Sequence, residues 1–531
     1  MKRHRLPFSL AVLFLAPSVA IAQAPTLKVD PRLVAEAAEV WAVIARRDNA
    51  IWPGWDASDT PILFYLPSEQ DVLINHPHPP AGFVAYDGPV RFPGGRMVVR
   101  DGATLIDADG QNTSRDVEGV RTLVVADALS NLRQRISGME SARNLSFAQL
   151  ATDPYEQLRF VAHEAFHVFQ NRTAAAKGAN EMLLRRYPVL SVENNVGFAQ
   201  EGAALAAALQ SADERGFQAA VSRWLAVRRH RRAALPPEAI AYEDGAEFKE
   251  GLAKYVEYRL LQVLEGREPG SQMWWVQGFH GYHDLSAQRA ELIATMLQHM
   301  RGEIAVNNEP FGTAPLRMRL YYSGMAIGAV LDRLSPSWKD RILRPDVSLT
   351  DLVEQAMGPR AGDLSQGLKD GQGWADDYAA LVAAKRRLAQ DGQARIDTML
   401  ATIERGAGTG IVVDYGALQP PRAALAFTPF GITMVDEDRT IFTQVPIQAR
   451  FPDGTEVAQT EATPLLQDRK RNVIQFRLSR QLSREEVAGV LGEGRSVRLE
   501  LPGVRIVSPN ATIQWDGKDL RVILAPTSRH P

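Results

Sequence analysis

The chain has 531 residues, 45% of them hydrophobic and 23% charged, with a formal net charge of −2. This excludes a disordered chain, a collagen-like repeat and a disulfide-stapled miniprotein, and the near-neutral balance argues against a nucleic-acid binder. There is no cysteine. Thiol nucleophiles, cysteine-ligated zinc and disulfides are therefore removed together, and any metal site must draw on His, Asp and Glu.

Lys2, Arg3, His4 and Arg5 form a basic head, Leu6 to Leu15 an apolar run, and Ala20-Ile21-Ala22 a small-residue site for a signal peptidase. Residues 1–22 read as a secretory signal cleaved before Gln23. No later stretch approaches ~18 uninterrupted apolar residues, so no membrane span is expected once the signal is gone. An exported chain without Cys fits the bacterial periplasm or the extracellular space.

Residues 31–47 read as an amphipathic helix with Pro31 in its first turn. Ile62-Leu63-Phe64-Tyr65-Leu66 and Met97-Val98-Val99 read as strands between loops rich in Pro, Gly and Asp. His76 and His78 share the loop Asn75-His76-Pro77-His78-Pro79-Pro80, where the prolines forbid a helix; the pair reads as loop. Residues 153–400 read mostly as helix. Within them Arg228-Arg229-His230-Arg231-Arg232 reads as a solvated helix end favoured by the dipole. After Gly406-Ala407-Gly408-Thr409-Gly410 the pattern changes to short alternating runs at residues 411–413, 424–427, 444–447, 473–478, 497–499 and 520–524. Those runs predict a β-rich C-terminal domain, sandwich-like or a small barrel.

His163-Glu164-Ala165-Phe166-His167 is the informative pentapeptide; composition alone would give such a spacing in roughly one chain of this length in a hundred. Asp153 suits an N-cap, Pro154 the first helical position, and Glu156 completes a capping box. Phe160, Val161, Ala162, Ala165, Phe166 and Phe169 make the helix apolar. At i and i+4, His163 and His167 share a face and can hold one metal; with a carboxylate, two imidazoles suit zinc. Glu164 lies beside that face, placed to take a proton from water.

A catalytic zinc needs a third protein ligand, and two glutamates compete. Glu201 has Gly197, Phe198, Ala204 and Leu205 as its helical neighbours, so it sits on an apolar face where a bare carboxylate is costly. Glu250 has a mixed face, with Glu243, Glu247, Lys254 and Glu257 along it. Periodicity leans to Glu201. Gln170, three after His167, reads as helix surface or as a partner of the histidine. Trp274, Trp275, His280 and His283 read as core or loop packing, with a cleft lining as the alternative.

Three segments resemble the gluzincin metallopeptidases, the broad group containing thermolysin and the aminopeptidase-N family. The first is the pentapeptide itself. The second, Glu250-Gly251-Leu252-Ala253-Lys254-Tyr255-Val256-Glu257-Tyr258, is similar to the stretch where the aminopeptidase-N family places its third zinc ligand. The third, Tyr321-Tyr322-Ser323-Gly324-Met325-Ala326, is similar to that family's Tyr-x-Lys-Gly-Ala, with Ser323 in place of the lysine. The gap from His167 to Glu250 is longer than in aminopeptidase N, which makes residues 192–235 a helical insertion, and the Gly-x-Met-Glu-Asn segment of those aminopeptidases is missing. The resemblance implies zinc on His163, His167 and Glu250 (Glu201 as the alternative), Glu164 as general base, and Tyr321 as donor to the transition state. It implies a peptide or protein substrate. The expected fold is α+β: a signal (1–22), an N-terminal α/β region with a few strands (23–150), a helical zincin-like core (151–405) and a β-rich domain (406–531) that is a candidate partner-binding module.

Overall fold

The computed structural model describes residues 25–102, 105, 113–127, 153–306, 309, 311–358, 378–427, 431–443 and 445–526. The expected signal at 1–22 lies outside them. The fold is α+β, and the chain divides into two compact units, Met1–Ala38 with Thr60–Thr152 and Glu39–Asp59 with Asp153–Pro531. Helix α1 (Pro31–Ile44) begins in the first and ends in the second.

The first unit is built on a six-stranded sheet. Its strands are β1 (Ile62–Leu66), β2 (Gln70–Ile74), β3 (Val84–Ala85), β4 (Met97–Asp101), β5 (Thr113–Val117) and β6 (Val120–Ala126), in the order β3-β4-β2-β1-β6-β5. β1 is apolar at every position because it is buried on both faces, pairing antiparallel with β2 and parallel with β6. Leu63, Tyr65, Leu73, Val98, Val124 and Ala126 form one core cluster. His76 is a buried loop histidine: its Nδ1 accepts the His78 amide (3.2 Å) and its Nε2 meets the Val117 carbonyl (2.9 Å).

The second unit begins its helical part with α2 (Pro154–Thr173), α3 (Val192–Gln210), α4 (Glu214–Ala233) and α5 (Pro237–Ala246). A π-helical turn, Glu247–Gly251, joins α5 to α6 (Leu252–Leu264). Then come α7 (Ser286–Arg301), α8 (Thr313–Leu334), α9 (Trp338–Ile342), α10 (Leu349–Met357) and α11 (Tyr378–Arg405). The segment 192–235 is occupied by the antiparallel pair α3 and α4.

Eleven strands follow: β7 (Gly410–Asp414), β8 (Ala424–Ala426), β9 (Ile432–Met434), β10 (Arg439–Phe442), β11 (Gln448–Arg450), β12 (Glu456–Gln459), β13 (Leu465–Asp468), β14 (Val473–Arg477), β15 (Gly492–Leu501), β16 (Val504–Trp515) and β17 (Asp519–Leu524). They make one curled sheet, a half-barrel, ordered β8-β11-β12-β16-β17-β7-β14-β13-β10-β9, with β15 on β16. The run at 445–447 is not a strand. Pro446 has no amide to give a ladder, and pairing starts at Gln448. β16 was not legible as one long strand because Pro509 interrupts it. Around that proline it changes partner, from β12 (Val504 to Val507) to β17 (Ala511 to Trp515). The Arg477 guanidinium fastens the sheet to the end of α11 through the carbonyls of Ile403 (3.1 Å) and Glu404 (3.0 Å).

His299 on α7 stacks on Tyr322 of α8, with ring centroids 5.1 Å apart. Burial, with Arg319 and Lys254 nearby, lowers its pKa to about 4. The unfolded chain protonates this histidine near pH 6.5. Between those values the unfolded state binds more protons, so stability falls as pH drops from 6.5 toward 4. An NMR titration of the imidazole should show it neutral at pH 5; a midpoint near 6.5 would contradict this.

Candidate metal centre

Helix α2 starts as its sequence dictates: Asp153 accepts the Tyr155 amide (3.0 Å) and Pro154 takes the first turn. One face is greasy. Phe166 and Phe169 pack on Trp52, with centroids 4.9 and 6.3 Å away, and Phe166 also meets Trp55 at 5.2 Å. The other carries His163, His167 and Gln170 at i, i+4 and i+7, toward α6.

From across, Glu250 enters on the π turn. Its Oε2 lies 3.3 Å from His167 Nε2 and 3.7 Å from His163 Nε2. One ligand atom from each of the three falls within 4.8 Å of the others. Ligand atoms held ~2.0–2.1 Å from a tetrahedral zinc are about 3.4 Å apart, so the spacing suits such an ion. Of the two competing glutamates, this is the one brought to the histidines.

The backs of both imidazoles are tied. His163 Nδ1 meets Glu257 Oε1 (2.8 Å), and His167 Nδ1 meets Gln170 Oε1 (2.9 Å). Gln170 is 1% exposed, and its amide is oriented by donating to the Phe248 carbonyl (2.7 Å). Its oxygen therefore faces the histidine, which must carry its proton on Nδ1. Each neutral imidazole then turns a bare Nε2 lone pair toward a carboxylate. Three acceptors facing one another repel unless a cation lies between them, so the donor set fits a metal ion.

Without one, protons must serve. Burial disfavours a charged His163, yet its bonds to Glu250 and Glu257 prevail and raise its pKa to about 9. Burial likewise opposes charge on Glu250, but the two imidazoles hold it well below the usual carboxylate range. Glu257 is held at about 2 against burial, chiefly by Lys254 (2.8 Å) and then by His163.

Tyr321 is on α8, its ring stacked 6.0 Å from that of His163, with Glu250 and Arg317 as its charged neighbours. Burial and the neighbouring Glu250 push its pKa well above 10, with Arg317 opposing. Arg317, one turn earlier on α8, approaches Glu250 Oε1 (3.5 Å) and pairs with Glu181. Glu164 is half-buried beside the ligand face, within electrostatic reach of His163 and Lys249. Lys249 itself bonds Asn171 Oδ1 (2.6 Å).

Glu201 is fully buried elsewhere, its carboxylate taken by Arg228 (3.0 Å) and Arg231 (2.6 Å). This corrects the reading of residues 228–232. Arg228 and Arg231 are 0% and 3% exposed and anchor a buried cluster with Glu201, Glu243 and Glu247. Their i, i+3 spacing turns them inward, while Arg229 and His230 face out. Glu201→Ala leaves the arginines in excess in a dry site. It should cost roughly 3–5 kcal/mol in a denaturant melt, with at most a modest loss of metal affinity.

Trp274 and Trp275 do not pack in a core: they are 58% and 62% exposed, Trp274 edge-on to Phe279 at 5.4 Å. His280 and His283 are exposed too. Glu257 and Arg317 were missed by the sequence reading. Spacing held the signal for both, since Glu257 is i+7 from Glu250 and Arg317 is i−4 from Tyr321.

Compared with protein-family models, curated proteins and solved structures, the chain gave no match in any of the three.

Gly324 fixes the distance between α8 and the π turn. A Cβ there would lie 2.6 Å from Gly251 Cα and 2.7 Å from the Glu247 carbonyl, so backbone would have to move. Gly324→Ala should cost about 1–3 kcal/mol or more and weaken metal binding by displacing Glu250. Parallel denaturation and zinc titration check both effects.

Proposed function

We propose that this chain is a zinc-dependent hydrolase, exported to the periplasm or beyond, that cleaves peptide bonds. One observation carries the reading: two imidazoles, each tied at Nδ1, aim their Nε2 atoms at one carboxylate among buried residues. Two imidazoles and a carboxylate, leaving a fourth position open, are a donor set that suits catalytic zinc. A zinc ion held by His163, His167 and Glu250 would polarise a substrate carbonyl and lower the pKa of a water there toward ~7.

The chain's own residues do the rest. Glu164 takes the proton of the attacking water and returns it to the leaving amine. Tyr321 donates its hydroxyl to the oxyanion, an interaction worth ~3 kcal/mol in comparable sites. Glu257 and Gln170 hold the imidazoles in the right tautomer. The resemblance of residues 250–258 and 321–326 to the gluzincin segments supports the same roles. The basic and apolar N-terminus supports export. Among the described residues no helix is long and apolar enough to cross a membrane.

The test is direct. Purified full-length protein is assayed for zinc, then incubated with a peptide library read by mass spectrometry, before and after 1,10-phenanthroline. The expected result is about one zinc per chain and cleavage that stops with the chelator and returns with zinc. A zinc-loaded protein that cleaves aryl esters or amides but no peptide would reassign the substrate. One that turns over nothing would make it a binding protein.

A further inference from the structure

The π turn at Glu247–Gly251 interrupts an otherwise continuous helical rod from Pro237 to Leu264. On an unbroken helix, Glu243, Glu247, Glu250, Lys254 and Glu257 would form a single stripe, since their spacing alternates between four and three. One extra residue in a turn rotates everything after it by about 100°. The stripe is thereby split. Glu243 and Glu247 face the arginines of α4, while Glu250 and Glu257 face the histidines of α2.

A π turn is rare inside an α-helix. Here it is held from three sides. Gln170 donates to the Phe248 carbonyl (2.7 Å). Gly251 lies against Gly324 of α8. Glu247, 1% exposed, is gripped by Arg228 (2.5 Å) and accepts the Ser323 hydroxyl (2.5 Å), both partners being fully buried. Arg228 is fixed in turn by Thr350 of α10 (2.8 Å) and by Glu201 (3.0 Å).

We propose that the buried Arg228–Glu247–Ser323 group is a positioning device for the metal: it locks the π turn that aims Glu250 at the two histidines. The inference rests on the metal reading above and extends it to residues that touch neither metal nor substrate. It gives Ser323 a job: its hydroxyl reaches the carboxylate that anchors the turn.

The experiment loads full-length protein with Co²⁺ and Zn²⁺. Affinity is measured by competition, and Co²⁺ geometry by its visible d–d spectrum. The double variant Arg228→Met/Glu247→Gln removes both charges together, so neither is left buried and bare. The expected result is a folded protein by circular dichroism, with affinity reduced about 10–100-fold, as when outer partners of a metal site are lost, and with an altered cobalt spectrum. Ser323→Ala removes one bond and no charge, and should shift the spectrum in the same direction with a smaller loss. A double variant with wild-type affinity and spectrum overturns the inference while leaving the metal reading intact. If the double variant does not fold, Ser323→Ala decides: an unchanged spectrum and affinity overturn the inference. Wild-type protein that binds neither ion defeats the metal reading and the inference with it.

Discussion

His163→Ala is expected to leave a folded protein that no longer retains metal. His163 is 7% exposed, so its removal opens a small cavity, but it strands no charge. Glu257 keeps Lys254 at 2.8 Å and Glu250 keeps Arg317 at 3.5 Å. The fold cost should be near 1–3 kcal/mol. The metal cost is far larger, because one of the three side chains proposed to hold the ion is gone. It should exceed the roughly 10–100-fold that loss of an outer partner such as Glu257 brings. Zinc analysis after dialysis, with circular dichroism and a thermal melt as controls, reads both effects. A well-folded wild type that takes up no zinc when zinc is supplied would remove the basis of the reading, and so would a His163→Ala variant that keeps it.

The sequence made parts of this legible because they depend on neighbours in the chain. The cap at Asp153, the i, i+4 histidines and the all-apolar β1 are local patterns, and each appears where the pattern put it. Periodicity failed at the third side chain for a definite reason. It ranked Glu201 above Glu250 on burial. Burial was right, since Glu201 is 0% exposed, but a buried carboxylate is satisfied equally well by guanidinium groups. Those come from α4, a helix whose basic run looked solvated because three of every four residues there carry charge whichever way they point. The mixed face of Glu250 was misleading in the opposite sense. It looked mixed because the periodicity assumed one straight helix, whereas the π turn divides that stripe between two buried surroundings. No single-residue signal marks a π turn. It emerges from tertiary partners, and only the resemblance of residues 250–258 pointed to the glutamate that the fold delivers.

Glu164→Gln should separate chemistry from binding. Glu164 follows His163 in the chain but lies beside, not on, the face where the three converging side chains meet. Glutamine keeps its size and its hydrogen-bonding reach while losing the ability to accept and return a proton. The variant should therefore bind about one zinc per chain, as wild type does, and melt at nearly the same temperature. Hydrolysis should fall by at least ~100-fold, the usual contribution of a positioned acid–base group. Lys249, within electrostatic reach of Glu164, would keep its bond to Asn171 at 2.6 Å, so the local frame is preserved. The comparison needs a substrate first identified with wild-type protein, and then kcat and KM measured for both. Loss confined to kcat marks a residue acting in the chemical step, whereas loss confined to KM marks one that only holds substrate. If Glu164→Gln retains near-wild-type kcat with its zinc in place, Glu164 is not the base, and the proton must go to another group within reach of the site.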